Sequence, residues 1–351
     1  MSVRLRRAIA IAIVIAGLAP GLWWRDEQLP PVKTLDLRFR QVAVPPQSEY
    51  APYLGPFALD AIWEMTSPHY RFGGYSTLLP PRNGQATAFS DRGLILSFTL
   101  PDRKARVASL AWVYDPPESE ENLTDIEAAT RDPDDGTVWL SVEGENAFVR
   151  LRPGMKVDGV IRPRAMRDWG SNSGGEAMVR LTDGRFIVIR ERSWALTGAN
   201  RRSGLLFAGD PLEDEKALAF TYVGTPGFST TEIEQLPDGR VLILERKLLW
   251  PYPPRFSGRI VLADPATIKA GKDWHGTVLA WLESPLPIDN FEGMTVEERA
   301  DGQWIVWIIS DDNAIKAQRT LLWKLRVDPA DLPSPRKKAR GTPARLEDRS
   351  K

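Results

Sequence analysis

Short apolar runs recur along the chain, each broken by a polar turn and each too short for a typical helix. The clearest copy reads Leu123-Thr-Asp-Ile-Glu127-Ala-Ala-Thr, then Asp132-Pro-Asp-Asp-Gly136, then Thr-Val-Trp-Leu-Ser-Val-Glu143. A second runs from Gly174-Gly-Glu176 through Thr182-Asp-Gly184 to Glu191, and a third from Thr231-Glu232 through Pro237-Asp-Gly239 to Glu245. The fourth begins Asn290-Phe-Glu292-Gly, turns at Ala300-Asp-Gly302 and ends Asp311-Asp-Asn313. A weaker early copy starts at Gly73-Gly-Tyr-Ser and ends at Asp91-Arg-Gly93. Asp-Gly between two runs of Val, Ile, Leu and Trp predicts a β-hairpin, because Gly supplies positive φ without steric cost and the flanking residues favour strands.

Asp91, Glu143, Glu191, Glu245 and Asp311 close the successive copies at intervals of roughly 50 to 65 residues, a period that suits four-stranded propeller blades. The expected fold is therefore all-β, a β-propeller of about six blades with a range of five to seven. Segments such as Arg259–Ala263 and Thr277–Leu282 are expected to supply outer strands. Strand-rich stretches near Thr34 to Val44 and Leu321 to Val327 are expected to form or close a sixth blade, since joining both chain ends covers exposed sheet edges. A pair of β-sandwiches would leave the ladder of repeated acids unexplained.

The ends differ from this body. Arg4, Arg6 and Arg7 precede an apolar run from Ala8 to Ala19, and Ala19-Pro-Gly21 follows. Residues 1–24 thus read as a secretory signal peptide, or as an uncleaved anchor with Trp23 and Trp24 at the interface. The expected location is the periplasm or the exterior, free or attached to the inner membrane through residues 8–24 with the propeller outside. The propeller domain is expected over residues 35–328. Residues 334–351 are polar, basic and Pro-bearing, as in a disordered tail.

Lys plus Arg equals Asp plus Glu at 46 each, so no whole-chain electrostatic footprint for nucleic acid exists. The chain has no Cys, which excludes thiol catalysis, thiolate metal sites and disulfides. His69 and His275 are the only histidines and read as ordinary surface or packed residues. The Trp residues in strand patterns read as core between blades, whereas Trp250-Pro-Tyr-Pro-Pro254 forms a Pro-rich aromatic loop at one face.

Inner strands of a propeller line its channel, so acids at matching positions converge. Converging carboxylates repel unless a cation neutralises them, and oxygen-rich, His-poor sites suit hard cations, above all Ca²⁺. The expected ligands are Glu127, Glu176, Glu232 and Glu292, with Asp311, Asp312 and Asn313 adding oxygens. In the third copy either Glu232 or Glu234 fits the place, and the first copy has no acid there. A second pattern is the acid–arginine step at Asp91-Arg92, Glu191-Arg192 and Glu245-Arg246, whose arginines suit a phosphate or an acid of the next blade.

Ser90-Asp-Arg-Gly93, Leu236-Pro-Asp-Gly-Arg-Val-Leu-Ile-Leu-Glu-Arg246, Asn290-Phe-Glu-Gly-Met294 and Ser310-Asp-Asp-Asn313, in this order, resemble the phytase-like family described as esterase-like activity of phytase, over about residues 35 to 328. The resemblance implies a propeller that hydrolyses esters or phosphoesters; with the carboxylates and arginines above, the expected protein is a monomeric, metal-dependent hydrolase of small-molecule esters, phosphoesters foremost. Glu292, Asp311, Arg92 and Arg246 are then the expected catalytic residues. A gluconolactonase-like lactonase and a non-catalytic binding propeller of the envelope are the alternatives.

Overall fold

The hairpins close where the Asp-Gly pairs stand: Gly136, Gly184, Gly239 and Gly302 take φ of 80°, 88°, 88° and 81°, a conformation open to a residue without Cβ. The first hairpin turns instead on Asn83 and Gly84, both at positive φ, the pair that matches strand twist in a two-residue turn. The computed structural model describes residues 32–113, 124–170, 174–191, 200–251, 253–315 and 317–334. The expected signal segment 1–24 and nearly all of the expected tail lie outside these residues.

The described residues open with β1 (Arg38–Gln41), the α-helix α1 (Gln47–Leu54) and β2 (Ala58–Thr66). Four sheets follow in sequence. The first holds β3 (Tyr75–Arg82), β4 (Gln85–Ser90), β5 (Leu94–Thr99) and β6 (Ala108–Trp112). The second holds β7 (Ile126–Arg131), β8 (Val138–Val142), β9 (Ala147–Arg152) and β10 (Lys156–Ile161), and the third β11 (Gly175–Arg180), β12 (Phe186–Arg190), β13 (Arg201–Phe207) and β14 (Ala217–Val223). The fourth holds β15 (Ser229–Gln235), β16 (Val241–Pro251), β17 (Pro254–Ala263) and, after β18 (Asp273–His275), β19 (Thr277–Leu282). The last holds β20 (Asn290–Glu298), β21 (Trp304–Asp311) and β22 (Thr320–Val327). The first strands β3, β7, β11, β15 and β20 pack side by side and close into a ring, the last against the first. This is a five-bladed β-propeller.

The fifth blade is finished by the start of the chain. Strand β2 pairs antiparallel with β22, and β1 pairs with β2. The segments expected to make a sixth blade complete the fifth instead, because β22 has only two strands of its own sheet before it and β2 covers its open edge. Two further splices bind neighbours. Val32 bridges Leu110 at the edge of the first blade, and β18 adds in parallel to β14, tying the fourth blade's connection to the third blade.

The core is a set of wedges between blades, each drawing on two adjoining sheets. Leu78 and Leu96 of the first blade meet Trp307 and Ile309 of the fifth, for example. Trp304, Trp307 and Trp323 are buried as expected, but Trp281 is 46% exposed, its ring covered by the Arg259 guanidinium at 3.5 Å. His275 lies on β18, and His69 stacks on Tyr70 while its Nδ1 accepts the Arg71 N–H. Among the described residues no helix is long and apolar enough to cross a membrane.

Ile62 of β2 is fully buried and faces Trp323 across the closing seam. Ile62→Ala should lower unfolding free energy by about 2–5 kcal/mol, the usual range for a buried aliphatic truncation, measured by denaturant titration. A loss below about 0.5 kcal/mol, typical of surface changes, would show that closure does not limit stability.

Candidate functional site

Every innermost strand carries a β-bulge at the same place. Its pairing with the second strand skips one residue: Ser76, Glu127, Glu176, Thr231 or Glu292. A bulge leaves the extra residue unpaired and re-aims its side chain, here towards the propeller axis. Counting from the bulges gives the true correspondence between blades. The residue two before the bulge stands opposite Asp91, Glu143, Glu191, Arg246 or Asp311 at the end of the second strand. These ten side chains form two rings at one mouth of the propeller.

The register separates expected site residues that belong together from those that do not. Glu127, Glu176, Glu292 and Asp311 share the mouth. Glu232 does not share their ring, since Thr231 holds the bulge in the fourth blade. Glu232 falls one residue deeper, where it accepts the Thr77 hydroxyl from across the axis at 2.6 Å and the Ile233 N–H at 3.1 Å. At this level the other strands carry Ala128, Ala177 and Gly293, and a Cβ on Gly293 would stand 2.9 Å from the Thr77 backbone. The inner strands are thus in close contact here, and Glu232 plugs the axis. Glu234 lies towards the opposite mouth, where it lines a cavity of about 290 Å³ with Arg131.

Asp312 caps the loop that follows it, accepting the Ala314 N–H at 3.0 Å and the Thr320 hydroxyl at 2.9 Å, and reaches the Gly74 N–H at 3.2 Å. Asn313 takes φ 47°, and its amide donates to Gln318 at 3.3 Å, away from the acids. Arg92 donates to the Gly73 carbonyl at 2.8 Å and stands 3.6 Å from Asp91, so it positions a loop and an acid. Gly73 and Gly74 are wedged between Asp312 and Asp91, where a Cβ would lie 2.4 Å from one carboxylate and 2.5 Å from the other.

The acid–arginine steps are not equivalent. Asp91 and Glu191 end their strands in the ring, but in the fourth blade the ring residue is Arg246. Glu245, one position earlier, is buried and accepts the Tyr222 hydroxyl at 2.9 Å and the Thr225 N–H. Arg192 lies outside the described residues. The expected ligand and catalytic sets left out Asp125, Glu143, Glu191, Asp91 and Asn290, which stand with them in the mouth. The doublet Asp125-x-Glu127 and the terminal-acid ladder were the available signals.

Arg246 is the one cation of the two rings. Its Nη1 donates to Asn290 Oδ1 at 2.8 Å, and its Nη2 lies 3.2 Å from Glu292 and 3.8 Å from Glu191. The Asn290 amide bridges Glu292 at 2.8 Å and Asp311 at 3.3 Å. Burial lifts Glu127 and Glu176 well above the usual carboxylate range, and the neighbouring acids lift them further. Burial also raises Glu292, with Arg246 opposing. Asp311 is pushed up to about 8 by burial and by Glu292, and Asp91 to about 6 by burial, with Arg92 opposing. Burial also raises Asp125 and Glu143, with the neighbouring Glu127 and the Gly174 N–H respectively opposing. Burial pushes Arg246 down, but the surrounding acids reverse this and hold it protonated.

The donor set suits a hard cation. It consists of oxygens, and one oxygen each of Asp125, Glu127 and Glu143 lie within 4.8 Å of one another. Asp91 Oδ1 is sealed from solvent and accepts no hydrogen bond; the cation it faces is Arg92, whose Nε lies 3.6 Å away.

A family model described as esterase-like activity of phytase matches residues 70–314. No curated protein matches the chain. Among solved structures, an endo-arabinase from Bacteroides thetaiotaomicron is 9% identical over 74% of this chain and 95% of its own, with a TM-score of 0.46. A proposed gluconolactonase is 11% identical over 84% of this chain and 95% of its own, with a TM-score of 0.43. Hydrazine synthase of Kuenenia stuttgartiensis is 11% identical over 70% of this chain, with a TM-score of 0.37, and this chain spans only 58% of it. No functional inference follows from similarity at this level.

The raised carboxylates set a stability profile. Their protons are held in the folded state above the pH at which the unfolded chain releases them, so stability falls as pH rises. Without divalent cations the melting temperature should decline from about pH 4, the ordinary carboxylate value, through Asp91 near 6 to Asp311 near 8. Calorimetry in chelator at stepped pH checks this, and a profile rising over that window would contradict the electrostatics described.

Proposed function

Because this chain belongs to the Phytase-like family, described as esterase-like activity of phytase, we propose that its acidic mouth binds a divalent cation, Ca²⁺ foremost, and hydrolyses an ester, with phosphoesters preferred. The supporting observation is the crowd of oxygen donors around one guanidinium, which burial alone would leave at a large electrostatic cost. Asp125, Glu127 and Glu143 would hold the ion. When bound, such a cation polarises a phosphoryl or carbonyl oxygen and lowers the pKa of water.

The chain's own groups supply the remaining chemistry. Arg246 offers a planar donor to a phosphoryl oxygen, and its buried Nε makes no hydrogen bond within the described residues. Glu292, oriented by Arg246 and Asn290, takes a proton from the attacking water as the new O–P bond forms. Asp311, with its pKa near 8, keeps its proton at neutral pH and gives it to the leaving oxygen as the old bond breaks. One amide, that of Asn290, sets the base and the acid relative to each other. Arg92 positions Asp91 and the Gly73 loop. The arginine-flanked apolar run at residues 8–19 supports an extracytoplasmic location.

Aryl phosphate, aryl ester and lactone substrates, each with Ca²⁺ or chelator, test the proposal. Glu292→Gln and Asp311→Asn should each lower kcat by about a hundredfold or more, the scale of general acid–base catalysis, without lowering the melting temperature. Asp125→Asn should weaken Ca²⁺ binding by about tenfold, since fewer charged ligands weaken such sites, as read by calorimetric titration. Calcium binding without turnover of any of the three substrates would leave the mouth a binding site only, and turnover of the lactone alone would replace the phosphoester preference.

A further inference from the structure

Strand β16 does not stop at the mouth. From Arg246 it continues through Lys247-Leu-Leu-Trp250 and returns as β17, forming a two-stranded ribbon beyond the blade. Leu248, Leu249 and Trp250 are 50%, 54% and 58% exposed. The pairing skips Leu249, a bulge between Leu248–Phe256 and Trp250–Arg255. Even with that bulge, three successive strand residues cannot all share one face, so apolar side chains project from both faces of the ribbon.

We propose that this ribbon tip inserts into the interfacial layer of a lipid bilayer. A protein partner would cover one face of a narrow ribbon, whereas a lipid interface surrounds both. Leu and Trp beside cations are the composition such a layer selects, with Trp at headgroup depth and the cations among anionic headgroups. Lys247 and exposed Arg255 flank the apolar residues here, and Lys247 rests its ammonium 5.7 Å from the Phe228 ring. The backbone fits as well. Pro251, Pro253 and Pro254 carry no N–H, so these three residues bring no backbone donor to an apolar phase. Arg246, two residues before Leu248, belongs to the acidic mouth, so docking holds that mouth beside the membrane surface.

The absence of Cys allows a single environment-sensitive label. Full-length chain carrying Leu249→Cys or, as a control on an exposed turn of the opposite mouth, Ala300→Cys is labelled with a nitrobenzoxadiazole probe. It is then mixed with vesicles of phosphatidylcholine and phosphatidylglycerol. The label at 249 should shift to the blue and be quenched by lipids bearing a shallow nitroxide, while the label at 300 changes in neither respect. Changing Leu248, Leu249 and Trp250 together to Ser should weaken vesicle partitioning of the tip by about tenfold or more, given the apolar area involved, with an unchanged melting temperature. An unresponsive label at 249 would overturn the proposal, whether or not residues 8–19 hold the chain on the vesicle. A change at 249 without lipid that grows with protein concentration would assign the tip to a second copy and overturn it too.

Discussion

Like charges brought together on one axis are the constraint around which this propeller is arranged. The ring of inner strands sets the approach, and a bulge at one position in each strand turns the extra side chain inwards. Where that residue is Glu, as in β7, β11 and β20, repulsion follows directly. The protein answers by holding protons on its most buried acids to higher pH, Glu127 and Glu176 above all, and with one guanidinium, Arg246, placed among the rest. These devices neutralise the cluster in part, and the negative charge that remains is what the proposed hard cation would offset.

The fourth blade departs from its siblings at both ring positions. It brings Thr231 where three others bring Glu, and Arg246 where the others bring an acid. Its own carboxylates are spent on other tasks. Glu232 joins Thr77 across the axis, and Glu245 holds the Thr225 loop and the Tyr222 hydroxyl. Fivefold repetition thus supplies the frame, and its local violation supplies the asymmetry that distinguishes one side of a reacting group from the other.

The architecture was legible because Asp-Gly turns and apolar strands repeat with the blades, and the family resemblance rests on those same repeats. The blade count was less legible. Strands contributed by the two chain ends look alike whether they complete a blade or found a new one, and only pairing decides. The site residues blurred for a related reason. A bulge shifts the pleat by one residue, so Glu232 and Glu245 match by spacing while Thr231 and Arg246 match in space. Side-chain period two makes a one-residue error a change of direction. Asp125 escaped notice because its role depends on Glu127 and Glu143 lying near it, a fact of folding rather than of local pattern.

The Glu232–Thr77 contact makes the mouth a blind cup. Whatever reacts there must arrive and depart through a single portal, so the leaving fragment retraces the path of the next molecule in. Clearance and capture compete for the same opening, and under the proposed hydrolysis the attacking water enters from that side as well. A cup of this kind favours reactants whose bulk stays outside the rim, with only the scissile group reaching the bottom.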